Sequence, residues 1–119
     1  MNKTITINGI ELIEDGDMVI RASKNNQFEP ETFNYILLEL EPKSLFVDVG
    51  AYTGIYSLFV SKFKYAKVLA FEPNPNCYRR FIDNMDLMDQ PLNIQLYDCA
   101  LDRCSSLLPF YVNPNLEFT

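Results

Sequence analysis

Leu45-Phe46-Val47-Asp48-Val49-Gly50-Ala51-Tyr52-Thr53-Gly54-Ile55-Tyr56-Ser57-Leu58-Phe59 decides the fold. Five residues from Leu45 to Val49, apolar except for Asp48, read as a strand buried on both faces, as in a parallel sheet. Two glycines then bend the chain. Ile55, Leu58, Phe59 and Phe63 recur at helical spacing, and Lys62 and Lys64 suit the negative end of that helix. Strand, glycine turn and helix in this order make a small-molecule half-site in an α/β sheet.

Working outward, Val68 to Phe71 is a second apolar strand that stops at Glu72-Pro73. Asn74-Pro75 is a capped helix start, followed by Tyr78, Phe81, Ile82 and Met85 on one face. Gln90-Pro91 ends that helix, and Ile94 and Leu96 begin a third strand. A β-α-β-α-β chain with right-handed crossovers lays the three strands parallel, in chain order. Leu107 to Val112 reads as one more strand, and Asn113 to Asn115 as a turn.

Upstream, Thr4 to Ile7 and Ile10 to Ile13 flank Asn8-Gly9, the signal of a tight hairpin. Asp15-Gly16 is a further turn, Met18-Val19-Ile20 reads as a third short strand, and Arg21 to Gln27 as an exposed loop. Glu29-Pro30-Glu31-Thr32 opens a helix whose face carries Phe33, Ile36, Leu37 and Leu40, and Glu41-Pro42 ends it. The expected division is residues 1–27, a hairpin and loop, and residues 28–119, an α/β cofactor-binding domain.

The bulk numbers agree with one globular domain. The chain has 119 residues, 48% hydrophobic and 22% charged, with net charge -6. An acidic chain without clustered Lys and Arg is not built for nucleic acid or an anionic membrane. Histidine is absent, which removes His-dependent triads and the common zinc sites from this chain; no metal is expected. Cys77, Cys99 and Cys104 are odd in number and form no Cys-x-x-Cys pair, so they read as small apolar filler in a reduced, cytoplasmic setting. No apolar run is long enough to span a bilayer.

The strand ends carry the chemistry. Asp48-Val49-Gly50, Glu72-Pro73 and Asp98-Cys99-Ala100 all follow parallel strands, so they converge on one crevice. A dinucleotide fingerprint starting at Gly50 would need glycines where Tyr52 and Ile55 stand. A phosphate-binding Gly-Lys-Ser/Thr is absent as well. The spacing is instead Asp-x-Gly-x-x-x-Gly, with Glu72 eighteen residues after Gly54. Gly50 lets a ligand approach the backbone, Asp48 offers charge to a cationic group, and Glu72 can accept from two vicinal ribose hydroxyls. Pro73 and Ala100 could border an adenine. S-adenosylmethionine combines all of these parts. Asp48 bonding its own turn, Glu72 as an ordinary polar strand end, Gly54 as a site of close helix–strand packing and Asp98 as a solvated strand end are the bland alternatives; the first three lose to the ligand reading only in combination.

Phe46 to Ala51, Gly54 to Leu58, Ala70-Phe71-Glu72-Pro73-Asn74-Pro75, Ala100-Leu101 and the earlier Phe28 to Glu31 resemble the FkbM family of S-adenosylmethionine-dependent methyltransferases. The resemblance runs from about Phe28 to Val112. It implies a Rossmann-like class I methyltransferase fold, here a half-sheet preceded by a β-hairpin and helix, with cofactor contacts at Asp48, Gly50, Gly54 and Glu72. With the turn and strand-end neighbours, the expected cofactor set is Asp48, Gly50, Ala51, Tyr52, Gly54, Glu72, Pro73, Asp98, Cys99 and Ala100. Tyr52 departs from the family, which usually carries a small polar residue there. The implied acceptor is a hydroxyl on a sugar or other small molecule; no catalytic base is identifiable. A seven-stranded sheet would continue past this chain, so a C-terminally truncated frame or a fragment is expected, with the first strand's free edge open to self-association. A non-catalytic cofactor-binding remnant or interaction module is the alternative function.

Overall fold

The computed structural model describes residues 3–102 and Tyr111. The strand expected from Leu107 to Val112 and the following turn lie outside the described residues apart from Tyr111, as does Cys104.

Strands β1 (Thr4–Ile7) and β2 (Ile10–Ile13) pair antiparallel, with Ile7 opposite Ile10. Asn8 and Gly9 sit at φ 52° and 80°. Two successive left-handed residues form the turn whose twist matches the strands it joins. The Asn8 side chain then pins the chain twenty residues on. Its Nδ2 donates to the Phe28 carbonyl at 2.7 Å, and its Oδ1 accepts from the Phe28 amide at 3.0 Å.

The short strand expected at Met18 to Ile20 is instead helix α1 (Met18–Ala22). Asp17 is the physical reason. Its Oδ1 accepts from the amides of Val19 at 2.7 Å and Ile20 at 3.3 Å, which satisfies free donors of a helical turn and commits two β-branched residues, Val19 and Ile20, to it. Helix α2 (Pro30–Glu39) starts at the expected Pro30, but only part of its expected face is covered. Phe33 is buried, Ile36 and Leu40 half-buried and Leu37 exposed.

The central sheet is parallel, β3 (Leu45–Val49), β4 (Lys67–Phe71) and β5 (Ile94–Tyr97), ordered β3-β4-β5 as the crossovers require. Helices α3 (Ile55–Lys64) and α4 (Pro75–Met85) are the two crossovers. In register, Phe46, Val68 and Ile94 share one row and Asp48, Ala70 and Leu96 another. These rows face α3 and join a core that also contains Leu58, Val60 and Phe81, together with Ile7, Ile10, Leu12 and Val19 of the N-terminal segment.

The alternate rows correct a further expectation. Leu45, Val47 and Val49 are 55%, 49% and 59% exposed, so β3 is not covered on both faces. No described element packs against that side of the sheet. At its upper end Phe71 and Tyr97 stack with ring centroids 5.1 Å apart. Cys99 is also exposed rather than filler, whereas Cys77 is buried.

Candidate functional site

The glycine turn begins where β3 ends and is hung from β4. The amides of Gly50 and Ala51 both donate to the Phe71 carbonyl, at 2.9 and 3.0 Å. Gly50 has φ +72°, and a Cβ built there meets no atom within 4 Å. Gly50 is therefore an open approach to backbone. Gly54 differs. At φ +96°, its Cβ would lie 2.6 Å from Phe81 Cδ1, so the second glycine serves close packing of the turn on α4. The Gly54 carbonyl then accepts from Leu58 as α3 starts, and Gly54 is its N-cap.

Glu72, 6% exposed, ties the two strand ends together. One carboxylate oxygen accepts from the Tyr52 amide at 2.7 Å, and the other from the Asn74 amide at 2.8 Å. A carboxylate offers about four acceptor positions, so roughly two remain. Asn74 in turn caps α4, accepting from the Asn76 amide at 2.9 Å.

Asp48 turns toward α3, where its Oδ2 accepts from Ser57 Oγ at 2.6 Å. Burial pushes its carboxyl above the ordinary range, and the bonds from the Ser57 hydroxyl and amide oppose that shift. Ala51 is buried. Tyr52 adopts φ +56° and sends its phenol away from the turn, where Oη accepts from the Met18 amide at 3.0 Å. Burial pushes that phenol up to about 12. Pro73 and Asp98 line a groove of about 340 Å³ with Pro75, Tyr78, Arg79 and Ile82. Cys99 and Ala100 are exposed beyond the end of β5 and do not line it.

The structure thus brings Gly50, Ala51, Tyr52 and Gly54 to one turn, sets Glu72 against it, and places Pro73 and Asp98 in the adjoining groove. Sequence reasoning missed the residues that hold the turn from behind. Asp17, Thr53 and Asn84 are fully buried. Thr53 Oγ1 donates to Asp17 Oδ2 at 2.9 Å, Asn84 Nδ2 donates to the Thr53 carbonyl at 2.9 Å, and Asn84 Oδ1 accepts from the Ile13 amide at 2.9 Å. The Asp17 carboxyl is pushed up by burial, against the bonds from Thr53, Val19 and Ile20. The one available signal was Asp17 following Asp15-Gly16, a cap-type residue just before an apolar run.

At the start of α2, Glu29 holds a left-handed backbone with φ 44° and its carboxylate accepts from the Tyr56 hydroxyl. Tyr56 stacks on Phe33 with centroids 4.3 Å apart, and burial followed by the Glu29 bond raises its phenol well above the ordinary range. Among the described residues, no group of three or more His, Cys, Asp and Glu is placed to hold a metal, and no helix is long and apolar enough to cross a membrane.

No family model matches the chain. Methyltransferase sdnD of Sordaria araneosa is 36% identical over 83 residues, 69% of this chain and 32% of that protein. Methyltransferase 1 of Beauveria bassiana is 35% identical over 71 residues, 57% and 28% of the two chains. The chain spans about a third of the length of these curated relatives. Among solved structures, Pyrococcus horikoshii TYW2 in complex with MeSAdo superposes with a TM-score of 0.64 at 22% identity, over 83% of this chain and 36% of that one. An Agrobacterium tumefaciens SAM-dependent methyltransferase gives 0.58 at 14% identity, over 82% and 32%. A β-hairpin ahead of a parallel three-stranded sheet with its glycine turn at the first strand end is, in this chain, the Rossmann-like fold of class I methyltransferases.

Proposed function

We propose that this chain is the cofactor-binding part of an S-adenosylmethionine-dependent methyltransferase of FkbM type, methylating a hydroxyl oxygen on a sugar or another small molecule in the cytoplasm. One observation carries the reading: an open Gly50 backbone stands beside a Glu72 carboxylate whose two oxygens are oriented by the Tyr52 and Asn74 amides. The residual acceptor positions of Glu72 suit the two ribose hydroxyls. The groove between Pro73 and Asp98 suits the adenine, with Tyr78 and Ile82 as apolar wall. Asp48 supplies negative charge beneath the turn, and Ala51, Tyr52 and Gly54 shape it. Cys99 and Ala100 stay in the proposed cofactor set as the exposed residues that follow Asp98, outside the lining of the groove. The cofactor itself would bring the transferable methyl group. The chain's part is to hold the donor in one orientation and keep water from it.

Titration calorimetry with S-adenosylmethionine and S-adenosylhomocysteine tests this directly. Saturable binding to both, weakened at least about tenfold in Glu72→Ala, is expected, because a hydrogen bond to a charged group contributes about 1.5–3 kcal/mol. Tight NAD binding with no response to S-adenosylhomocysteine would overturn it.

A specific observation also favours the non-catalytic alternative. Asp48 and Glu72 are both engaged by internal hydrogen bonds, which leaves neither placed as a general base. Cofactor binding without turnover on any hydroxyl acceptor selects that reading. The β3 edge supports self-association as well. Its backbone groups on the side away from β4 pair with no described strand, and the strand carries neither Pro nor Lys to block an incoming one.

A further inference from the structure

Away from the glycine turn, a second concavity of about 480 Å³ opens between the N-terminal hairpin, the Asn25-Asn26 turn and α2. It shares no lining residue with the groove at Pro73 and Asp98. Its volume falls within the range of about 300–1,000 Å³ typical of small-molecule sites.

The lining is chemically selective. Five carboxamides contribute: Asn8, Asn25, Asn26, Gln27 and Asn34. Phe33, Leu37 and Phe59 supply apolar surface. No charged side chain takes part, in a chain that is 22% charged. Three of the amides have structural work. Asn8 pins Phe28, and Asn25 and Asn26 take the left-handed positions of a tight turn closed by paired Lys24 and Gln27 backbone bonds at 2.9 Å. Gln27 and Asn34 have none: neither side chain bonds another described residue. Asn34 is moreover a poor helix former standing exposed inside α2, where local stability would favour Ala.

We infer that this concavity binds an uncharged polyhydroxylated ring, a pyranose, through Gln27 and Asn34. Each carboxamide presents a donor pair and an acceptor side by side, the complement of vicinal hydroxyls that both donate and accept. Leu37, 40% exposed, supplies the apolar contact for the C–H face of such a ring, with the buried Phe33 and Phe59 as the floor beneath it. Lys62 stands at the edge of the concavity but is engaged with the Gly9 carbonyl at 2.7 Å and is not among the lining residues, so a phosphorylated or carboxylated sugar gains little there. The site is separate from the proposed cofactor turn, so it serves to hold a glycosyl group rather than to methylate it.

The test is a ¹H–¹⁵N spectral titration of the protein with methyl α-glucopyranoside, methyl α-mannopyranoside and methyl α-galactopyranoside, with glucuronate as charged control. Saturable shifts of the Asn34 and Gln27 side-chain NH₂ signals are expected for at least one neutral glycoside, with a Kd on the order of 1 mM. Glucuronate should bind more weakly than that glycoside. Asn34→Ala should lower the affinity at least about tenfold while leaving the melting temperature unchanged or higher, since it improves the helix. Its S-adenosylhomocysteine binding should match wild type, which separates this inference from the proposed cofactor reading. No saturable shift with any of the three up to about 50 mM, shifts confined elsewhere, or an Asn34→Ala variant that binds as wild type does, would each overturn it.

Discussion

The two glycines of the turn look alike in sequence and do different things. Gly50 is left-handed with open space around its α-carbon, and Gly54 is left-handed against a phenylalanine ring. Gly54→Ala should therefore destabilise by about 2–4 kcal/mol, combining left-handed strain with overpacking. Gly50→Ala should cost about 1–2 kcal/mol, the backbone penalty alone, yet weaken S-adenosylhomocysteine binding. Chemical denaturation and calorimetry on both variants check the pair, and equal stability losses would contradict the packing assigned to Gly54. Asp17 gives a pH signature. Burial raises its folded-state pKa above the unfolded value, so the native state binds its proton more tightly. Its contribution is then most favourable below the unfolded pKa and is lost as pH rises through the folded one. Asp17→Asn lacks that loss. The melting temperature of the variant relative to wild type should climb as pH rises from about 4, the unfolded carboxyl value, toward neutrality. A difference that does not change with pH would refute it.

At the scale of elements, what was legible in the sequence was whatever is local. The Asn8-Gly9 hairpin, Pro30 opening α2, Asn74-Pro75 opening α4 and the three parallel strands each carry their instructions within a few residues. The failures were non-local or depended on one cap. Met18-Val19-Ile20 has β-type composition, and a single carboxylate at Asp17 overrode it. Asn84, on the buried side of α4, reads as an ordinary polar helix residue. Its partners lie 71 and 31 positions away, at Ile13 and Thr53. No periodicity announces such a bond. Of the candidate site, Gly50, Gly54 and Glu72 could be picked from spacing, but their division of labour could not. Glu72 was expected to face a ligand; what the structure shows is that it fastens the Tyr52 and Asn74 amides. Asn84→Ala strands the Ile13 amide and the Thr53 carbonyl in a dry interior and should cost about 2–5 kcal/mol. Hydrogen exchange in this variant should quicken first at Ile13 and across β1 and β2. Uniform acceleration across the sheet would show that the hairpin is not a separate unit of opening.

At the scale of the whole molecule, the sheet has one sealed side and one that no described element covers. An apolar five-residue strand predicts coverage on both faces only when the covering elements are present, and none of the described elements reaches Leu45, Val47 or Val49. Val47→Lys with Val49→Lys should leave thermal stability within about 1 kcal/mol, because both side chains are already half in water, and should reduce self-association measured by solution scattering. A monodisperse monomer in the unmodified protein would remove the β3 edge from consideration. The N-terminal hairpin, by contrast, packs into the same core as the sheet. Ile7, Ile10, Leu12 and Val19 share one buried cluster with Leu58 and Phe81, and Tyr52 and Thr53 reach back to Met18 and Asp17. Residues 3–22 therefore act as a lever arm on the glycine turn. Cutting the chain near Gly16, or fusing a bulky tag that prises β1 from its seat, would be felt at Tyr52 and Thr53, as slackness in the turn proposed to hold the cofactor.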